Sequence, residues 1–297
     1  MSRGNTANRR LAPRALGLAI SVGCASILSG TLVIHIKTDR GVLICADKRI
    51  QGLLPEPGYS DRFVKLIPYG NSTVYALTGE GGTFWNDSQT ELKFSAYAEI
   101  EKFLRRRCSD DTTIELNELG RAVADSMVTS MRDAWVDPPG PILSIVIAHR
   151  NRKELLQTGR CRIETHLNAA NVITSTSVDC RDTTGDLTWA YGDGAFLRQL
   201  YDNQNTEFEQ YRNMPPIKAV LPRLQSRSAV PVRYADAIAF AETVIRLSSI
   251  HVRNVKADIS EQCDCILLSQ DGLLWNKKPG GAYPPGHPSN PNAPQPK

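Results

Sequence analysis

The chain has 297 residues, of which 41% are hydrophobic, enough to bury a sizeable core in one large domain or two small ones. Its formal net charge of +4 comes from four arginines in the first thirty residues, where no acidic residue occurs. Removing those four from the 35 basic residues leaves 31, equal to the 31 acidic residues. This neutral body gives no support to nucleic-acid binding.

The cysteines and histidines give no sign of a metal or cofactor site. Seven cysteines are scattered without a C-x-x-C pair or a ligand-like Cys/His spacing, and the five histidines form no cluster. We therefore expect no metal, no cofactor and no disulfide framework. Cys45, Cys263 and Cys265 lie in apolar runs, which favours positions in the core.

The first predicted elements are two strands that form a hairpin. The apolar run 32–37 follows Gly30 and Thr31, and a turn at 38–41 leads into a second apolar run, 42–46, which ends at Asp47. A hairpin of this register returns an acid to the neighbourhood of Thr31. With Arg49, Asp47 could also form an ordinary ion pair at the end of the strand.

Two further apolar segments bring a lysine and a glycine cluster. Lys65 lies among apolar residues in 63–67, and a buried lysine is costly without a carboxylate, for which Asp47 is the obvious partner. A surface lysine whose stem covers an apolar face is the alternative. The run 73–77 leads to Gly79, whose N–H could hold an oxyanion, although a plain turn would have the same composition.

Thr31 is the candidate nucleophile of this set. A threonine hydroxyl needs a base, and one solution is its own α-amino group, which has a pKa near ~8 and is freed by cutting the preceding peptide bond. Gly30 tolerates the tight backbone geometry that this cut requires. The Gly-Thr pair recurs at Gly82 and Thr83, so the dipeptide alone indicates nothing, and the weight lies in the residues that follow Thr31.

The rest of the chain alternates between helices and strands. Apolar residues at helical spacing predict helices over 91–107 and 115–136. Further predicted elements are strands at 142–148 and 187–191, a strand with a long exposed loop in 151–186, a short helix at 195–203, an irregular proline-containing stretch, a helix at 235–247 and a hairpin at 263–275. This order is typical of helices covering both outer faces of two packed sheets. The tail from Lys277 has seven prolines and should be disordered.

The ordered set of Gly30-Thr31, Gly41, Asp47-x-Arg49, Lys65 and Gly79 resembles the proteasome β-subunit and its bacterial HslV-type relatives, within the N-terminal-nucleophile (Ntn) hydrolases. There is no gap from Thr31 to Arg49, and a small insertion at 51–61 would be a substrate-pocket loop. The resemblance implies an α+β fold, the four-layer αββα sandwich, over residues 31–276, between a leader of residues 1–30 and a tail of residues 277–297.

The resemblance also implies roles for individual residues. Thr31 would be the nucleophile and its α-amine the proton acceptor, Lys65 would lower the pKa of that amine, Asp47 would orient Lys65, and Gly79 would supply the oxyanion N–H. The residues that would line an apolar substrate pocket are Ile50, Phe63, Leu77 and Gly81. Supporting positions would be Arg49, Asp258 and Ser260, the last two being the nearest matches by type to the acid and serine of the family.

One position departs from the family pattern. The segment 192–194 looks like the Gly-Ser-Gly turn of the family, whose serine helps the amine exchange protons, but Asp193 stands in place of the serine. An aspartate could accept a hydrogen bond from the amine, yet it would raise the pKa of that amine where a serine would not.

The function implied is that of a threonine endopeptidase that cuts itself between Gly30 and Thr31 and hydrolyses peptides or proteins through an acyl-enzyme. The implied assembly is a homo-oligomeric ring, with an ATP-dependent unfoldase as a possible partner. Two alternatives stay open: a catalytically silent structural ring subunit with the same fold, and an Ntn amidohydrolase acting on small amides.

Residues 1–30 allow two interpretations. Arginines followed by the apolar stretch 16–28 resemble a secretory signal peptide, and this stretch is too short to span a bilayer stably. Alternatively, the segment is a propeptide that shields Thr31 until self-cleavage, as the family implies. The two interpretations are compatible, because a signal peptide cut near Ala25 would leave five residues before Thr31 that self-cleavage could still remove. The family favours a cytoplasmic location, and the composition favours export.

Overall fold

The structure is a computed structural model of the 297-residue chain. It describes residues 31–52, 58–60, 63–79, 82–85, 92–107, 113–136, 138, 140–151, 153, 155–186, 188–192, 194–226, 230–252, 259–276, 281, 283–284 and 287–289.

The described strands are β1 (Leu32–Thr38), β2 (Gly41–Asp47), β3 (Ile50–Gly52), β4 (Gly58–Ser60), β5 (Ile67–Tyr69), β6 (Thr73–Gly79), β7 (Thr83–Trp85), β8 (Leu92–Ser95), β9 (Ile142–Arg150), β10 (Leu156–Leu167), β11 (Ile173–Asp182), β12 (Thr188–Gly192), β13 (Cys263–Ser269) and β14 (Gly272–Trp275). The helices are α1 (Ala96–Arg107), α2 (Leu116–Ser130), α3 (Ala195–Tyr201), α4 (Glu209–Arg212), α5 (Pro215–Gln225) and α6 (Tyr234–Val252), and a single 3₁₀ turn covers Thr206–Phe208.

The first sheet has the strand order β12-β1-β2-β13-β14, with every pairing antiparallel. Side chains of β1 alternate between its two faces, as the pleat requires. Leu32, Ile34 and Ile36 belong to a buried cluster with residues of α3, α5 and α6, among them Phe240 and Val244 of α6. These helices therefore cover one face of the first sheet.

The second sheet has the order β11-β10-β9-β6-β5 and is also antiparallel. Tyr75 and Leu77 of β6 share a buried cluster with α1 and α2, including Ile100 of α1 and Met127 of α2. We call this cluster the α1–α2 core. Helices α1 and α2 therefore cover one face of the second sheet, just as α6 covers one face of the first sheet.

A third buried cluster joins the two sheets. It contains Val33 of β1 and Ile44 of β2 from the first sheet, together with Ala76 of β6 and Val146 of β9 from the second. Burial of these apolar side chains removes the remaining faces of both sheets from water, which is the main source of stability for such a packing. The chain thus has a mixed α and β fold built on antiparallel sheets.

The structure corrects the element prediction at three places. The segment predicted as one strand and a long loop, 151–186, is a long hairpin of β10 and β11, because α2 packs on its alternating residues. Residues 92–95, predicted as the start of a helix, form β8, which pairs with β7. The proline-containing stretch includes α5, where Pro215 and its neighbour occupy the first turn, in which no N–H bond is lost.

The expectation of no disulfide framework was wrong. Cys45 of β2 bonds to Cys265 of β13, and Cys161 of β10 bonds to Cys180 of β11. In each case the two cysteines are directly paired across neighbouring antiparallel strands. The pairs are 220 and 19 residues apart in sequence, and neither separation has a recognisable spacing signature. Cys263 is a free thiol.

Part of the tail is packed where the sequence predicts a disordered extension. Tyr283 contacts the α1–α2 core, and the side chain of His287 is only 2% exposed. Among the helices that the structure describes, none is long and apolar enough to cross a bilayer.

Candidate active site

Thr31 lies immediately before β1, and the residues that follow it pair with two neighbouring strands. Leu32, the next residue, pairs with Gly192 of β12, and Val33 pairs with Ala46 of β2. Thr31 as a whole is half-buried.

The β1–β2 hairpin carries Asp47 back to Thr31. Its turn depends on Gly41, whose φ of +139° is a conformation that other residues rarely adopt. With this turn in place, Asp47 ends β2 beside the start of β1. The N–H of Leu32 donates a hydrogen bond of 2.8 Å to Oδ1 of Asp47. The carboxylate is therefore fixed to the residue that follows the candidate nucleophile.

Lys65 connects this carboxylate to the threonine hydroxyl. Its Nζ lies 3.0 Å from both carboxylate oxygens of Asp47 and donates a hydrogen bond of 3.1 Å to Oγ1 of Thr31. The lysine is 4% exposed and is not a surface residue. The three side chains form a continuous line from buried carboxylate through ammonium to hydroxyl.

Asp47 is the centre of this hydrogen-bond network. Its Oδ2 accepts N–H bonds from Arg49 at 3.0 Å and from Ser260 at 3.2 Å, in addition to the bonds from Leu32 and Lys65. Burial raises the pKa of Asp47, and this effect is opposed by the Lys65 ammonium and then by the Leu32 N–H. Because the carboxylate accepts three N–H bonds and contacts an ammonium, we assign the pair as carboxylate and ammonium.

Two glycines have backbone conformations that the site requires. Gly79, at the end of β6, has a φ of +90°, and a β-carbon there would overlap the carbonyl oxygen of Ile142. Gly192 has a φ of +78°, and a β-carbon there would overlap the carbonyl oxygen of Thr31 and lie 3.5 Å from Cβ of Thr78. Gly192 thus lets β12 approach the backbone of Thr31 closely.

The structure locates the remaining predicted site residues as follows. Arg49 contacts Asp47 through its main-chain N–H. Phe63 is half-buried, and Leu77, 8% exposed, packs in the α1–α2 core. Residues that lie outside the described part of the chain are Gly30, Gly81, Asp193 and Asp258, and for Ile50 only the backbone in β3 is described.

Sequence reasoning missed how two residues reach the site. Ser260 is fully buried and contacts Asp47 with its main-chain N–H, while its hydroxyl accepts a bond from the Gln262 N–H. The sequence indicates Ser260 only as the nearest match by residue type to the serine of the family. For Gly192, the sequence predicts only a place in a turn. A signal for its role was available, because a glycine that ends a strand often marks close approach of another backbone.

No protein-family model and no curated protein sequence matches this chain. Among solved structures, it is similar to one described as an Anbu (Gly-1) mutant from Hyphomicrobium sp. strain MC1, with a TM-score of 0.43 and 13% sequence identity, over 84% of this chain and 85% of that one.

Proposed function

We propose that this chain is a threonine-type peptidase of the Ntn-hydrolase class, with Thr31 as its nucleophile. The observation that carries the proposal is the hydrogen bond from Nζ of Lys65 to Oγ1 of Thr31, made by a buried lysine that is itself paired with Asp47. A hydroxyl placed against a fixed ammonium is a better nucleophile than an ordinary threonine, because the positive charge favours its deprotonated form.

The first reaction would be self-processing. Thr31 follows Gly30 in the chain, so its nitrogen is an amide and cannot serve as a base. Attack of Oγ1 on the carbonyl carbon of Gly30 forms an ester and breaks the C–N bond, and the proton moves to the Thr31 nitrogen. Water then hydrolyses the ester, which releases residues 1–30 as a carboxylic acid and leaves a free α-amine on Thr31.

Turnover would use the same oxygen. The α-amine of Thr31 takes the hydroxyl proton as Oγ1 attacks a substrate carbonyl, and the Lys65 ammonium stabilises the negative charge that develops on Oγ1. The amine returns the proton to the leaving nitrogen, an ester forms, and water attacks that ester to regenerate Thr31. The N–H of Gly79 is proposed as the oxyanion donor, and Asp193 as the group that exchanges protons with the amine.

The packing supports the four-layer αββα arrangement as part of this proposal. One buried cluster lies between α6 and the first sheet, a second lies between the two sheets, and a third lies between the second sheet and α1 and α2. A homo-oligomeric ring, an unfoldase partner and a cytoplasmic location are proposed on the family resemblance alone.

The test is the intact mass of the protein purified from cells, measured for the wild type, Thr31→Ala and Thr83→Ala. Thr83 is a matched control, because it is the threonine of the other Gly-Thr pair and the first residue of β7. We expect the wild type and Thr83→Ala to begin at Thr31, and Thr31→Ala to retain residues before it. If the wild type also retains residues before Thr31, the α-amine is never freed and the structural-subunit alternative applies.

Substrate class is tested on the same preparations. A fluorogenic peptide with an apolar residue before the cleaved bond should be hydrolysed by the wild type and by Thr83→Ala, and not by Thr31→Ala. Cleavage of a small amide without any peptide cleavage would instead support the amidohydrolase alternative.

A further inference from the structure

The C-terminal segment packs two aromatic side chains against α1. Tyr283 and His287 stack on each other with ring centroids 4.3 Å apart and an interplanar angle of 15°. His287 also meets the ring of Tyr97 edge-on, with centroids 5.8 Å apart. We call these two residues the strap. They reach α1 from a part of the chain that the sequence predicts to be disordered.

Polar contacts fix the imidazole as well. The N–H of Ser289 donates to Nδ1 of His287 at 3.0 Å, so Nδ1 is the acceptor nitrogen and the ring proton lies on Nε2. Nε2 is 3.0 Å from Oε1 of Glu101 on α1. The imidazole is 2% exposed, and it is held by the stacking, by the edge contact and by the Ser289 N–H, while Nε2 lies close to Glu101 without hydrogen-bond geometry.

Beneath the strap lie two tyrosines of the α1–α2 core. Tyr97 and Tyr75 have centroids 6.5 Å apart, and Tyr75 is 1% exposed. Burial, and after it the carboxylate of Glu101, raise the pKa of Tyr75 above its ordinary value. Tyr97 of α1 contacts both the strap and β6. The contacts run from the tail through α1 to the strand that ends at Gly79.

A second set of contacts links α1 to Gly82, the residue before β7. The N–H of Ala96, the first residue of α1, donates a 2.9 Å bond to the carbonyl of Gly82. A β-carbon on Gly82 would lie 3.5 Å from Cδ1 of Leu77 and 3.9 Å from Cε2 of Tyr97, so these two side chains enclose it. Gly82 is three positions after Gly79, and its place depends on where α1 begins.

From these contacts we infer that the strap is a positioning device for the active site. It holds the first two turns of α1 against β6, the strand that ends at Gly79, and the N–H of Ala96 at the start of α1 in turn fixes Gly82. This inference rests on the proposed function, since Gly79 matters to turnover only as an oxyanion donor. Loss of the strap would loosen α1 and misplace the Gly79 N–H while Thr31, Asp47 and Lys65 stay in place.

The test compares the double variant Tyr283→Ala/His287→Ala with Ser289→Ala. Ser289 is the matched control, because the contact described for it is made by its main chain and not by its hydroxyl. Hydrogen exchange is measured in peptides that cover β6 and α1, with β10 and β11 as an internal reference. In the double variant we expect exchange about tenfold faster in α1 and near Gly82, with β10 and β11 unchanged.

Turnover of the fluorogenic peptide is the second measurement. We expect kcat to fall about tenfold in the double variant, with KM changed much less, because a misplaced oxyanion donor is felt in the transition state. Exchange of α1 equal to that of the wild type overturns the inference. The inference is also overturned if hydrogen exchange of α1 is faster in the double variant while its kcat equals that of the wild type.

The two proposals can fail separately. If the wild type has no activity at all, the proposed function fails, and the exchange measurement still decides whether the tail holds α1 and Gly82. If exchange rises in β10 and β11 as well, the double variant has lost global stability. The single variant Tyr283→Ala then decides by the same criteria.

Discussion

Nζ of Lys65 lies 3.0 Å from each carboxylate oxygen of Asp47, and neither residue is more than 4% exposed. Removing one member of such a pair leaves a buried charge without its partner, which costs about 3–5 kcal/mol of unfolding free energy. We expect Asp47→Ala to be destabilised by this amount in urea denaturation. The double variant Asp47→Ala/Lys65→Met should be more stable than Asp47→Ala, because it leaves no buried charge without a partner. If the two substitutions changed the free energy of unfolding additively, the pairing would be contradicted.

The bond between Lys65 and Thr31 predicts a large effect on turnover. Lys65→Ala removes the ammonium beside Oγ1, and loss of such a charge costs about 10²–10³-fold in kcat. The measurement is steady-state hydrolysis of the fluorogenic peptide at a temperature where circular dichroism shows a folded protein. Lys37→Ala, an exposed lysine on β1, is the control and should keep wild-type kcat. Wild-type kcat in Lys65→Ala would eliminate the proposed mechanism.

Local pattern was enough to predict the β1–β2 hairpin and the pairing of Lys65 with Asp47. Two apolar runs around a four-residue turn fix which residues lie side by side, so the position of Asp47 near Thr31 follows from strand register. The lysine could be assigned because one charged residue among apolar neighbours needs a partner, and Asp47 was nearby in sequence.

Contacts between distant segments could not be predicted in the same way. Ser260 reaches Asp47 across 213 residues through its main chain, and a main-chain N–H leaves no mark in the sequence. The sequence predicts one strand and a loop where the β10–β11 hairpin lies, because β11 is rich in Ser, Thr and Asp. Strand formation there follows from pairing with β10 and packing of α2, which are tertiary effects.

Gly192→Ala should damage the site from the side of β12. A β-carbon at this position would overlap the carbonyl oxygen of Thr31, so the backbone of Thr31 has to move. Because small displacements of a nucleophile are costly, we expect kcat to fall about 100-fold. The control is Gly185→Ala, where a β-carbon meets nothing within 4 Å. Equal peptide hydrolysis by both variants would argue against the close approach of β12.

His35 makes the stability of the protein sensitive to acid. It is 2% exposed on β1, its Nδ1 is 3.3 Å from the hydroxyl of Tyr191, and burial lowers its pKa to about 4, against a smaller opposing effect of the Asp186 backbone. In the unfolded chain the pKa is near 6.5, so the unfolded state binds the proton first as pH falls. Stability is therefore lost between pH 6.5 and pH 4, by roughly 3 kcal/mol in all.

This loss is measured by urea denaturation at several pH values. His35→Gln cannot titrate, so the free energy of unfolding of this variant should fall less than that of the wild type from pH 6.5 to pH 4. His166→Gln removes an exposed histidine and should follow the wild-type curve. Parallel curves for all three proteins would mean that the pKa of His35 is the same in the folded and the unfolded states.

The disulfide between Cys161 and Cys180 should stabilise the β10–β11 hairpin. Its cysteines are 19 residues apart, and a closed loop of that length restricts the unfolded chain by about 3 kcal/mol in the chain-entropy model. We expect Cys161→Ala/Cys180→Ala to lose that amount in denaturation without reductant. Cys263→Ala, which removes a free thiol, should lose much less.

Alkylation identifies the bonds directly. In denaturant without reductant, Cys263 should be alkylated, whereas the four bonded cysteines, Cys45, Cys161, Cys180 and Cys265, should react only after reduction. Alkylation of these four cysteines before reduction would show that they are free thiols, as the sequence predicts. Because disulfides persist in oxidising compartments, intact bonds in protein taken directly from cells would favour export over a cytoplasmic location.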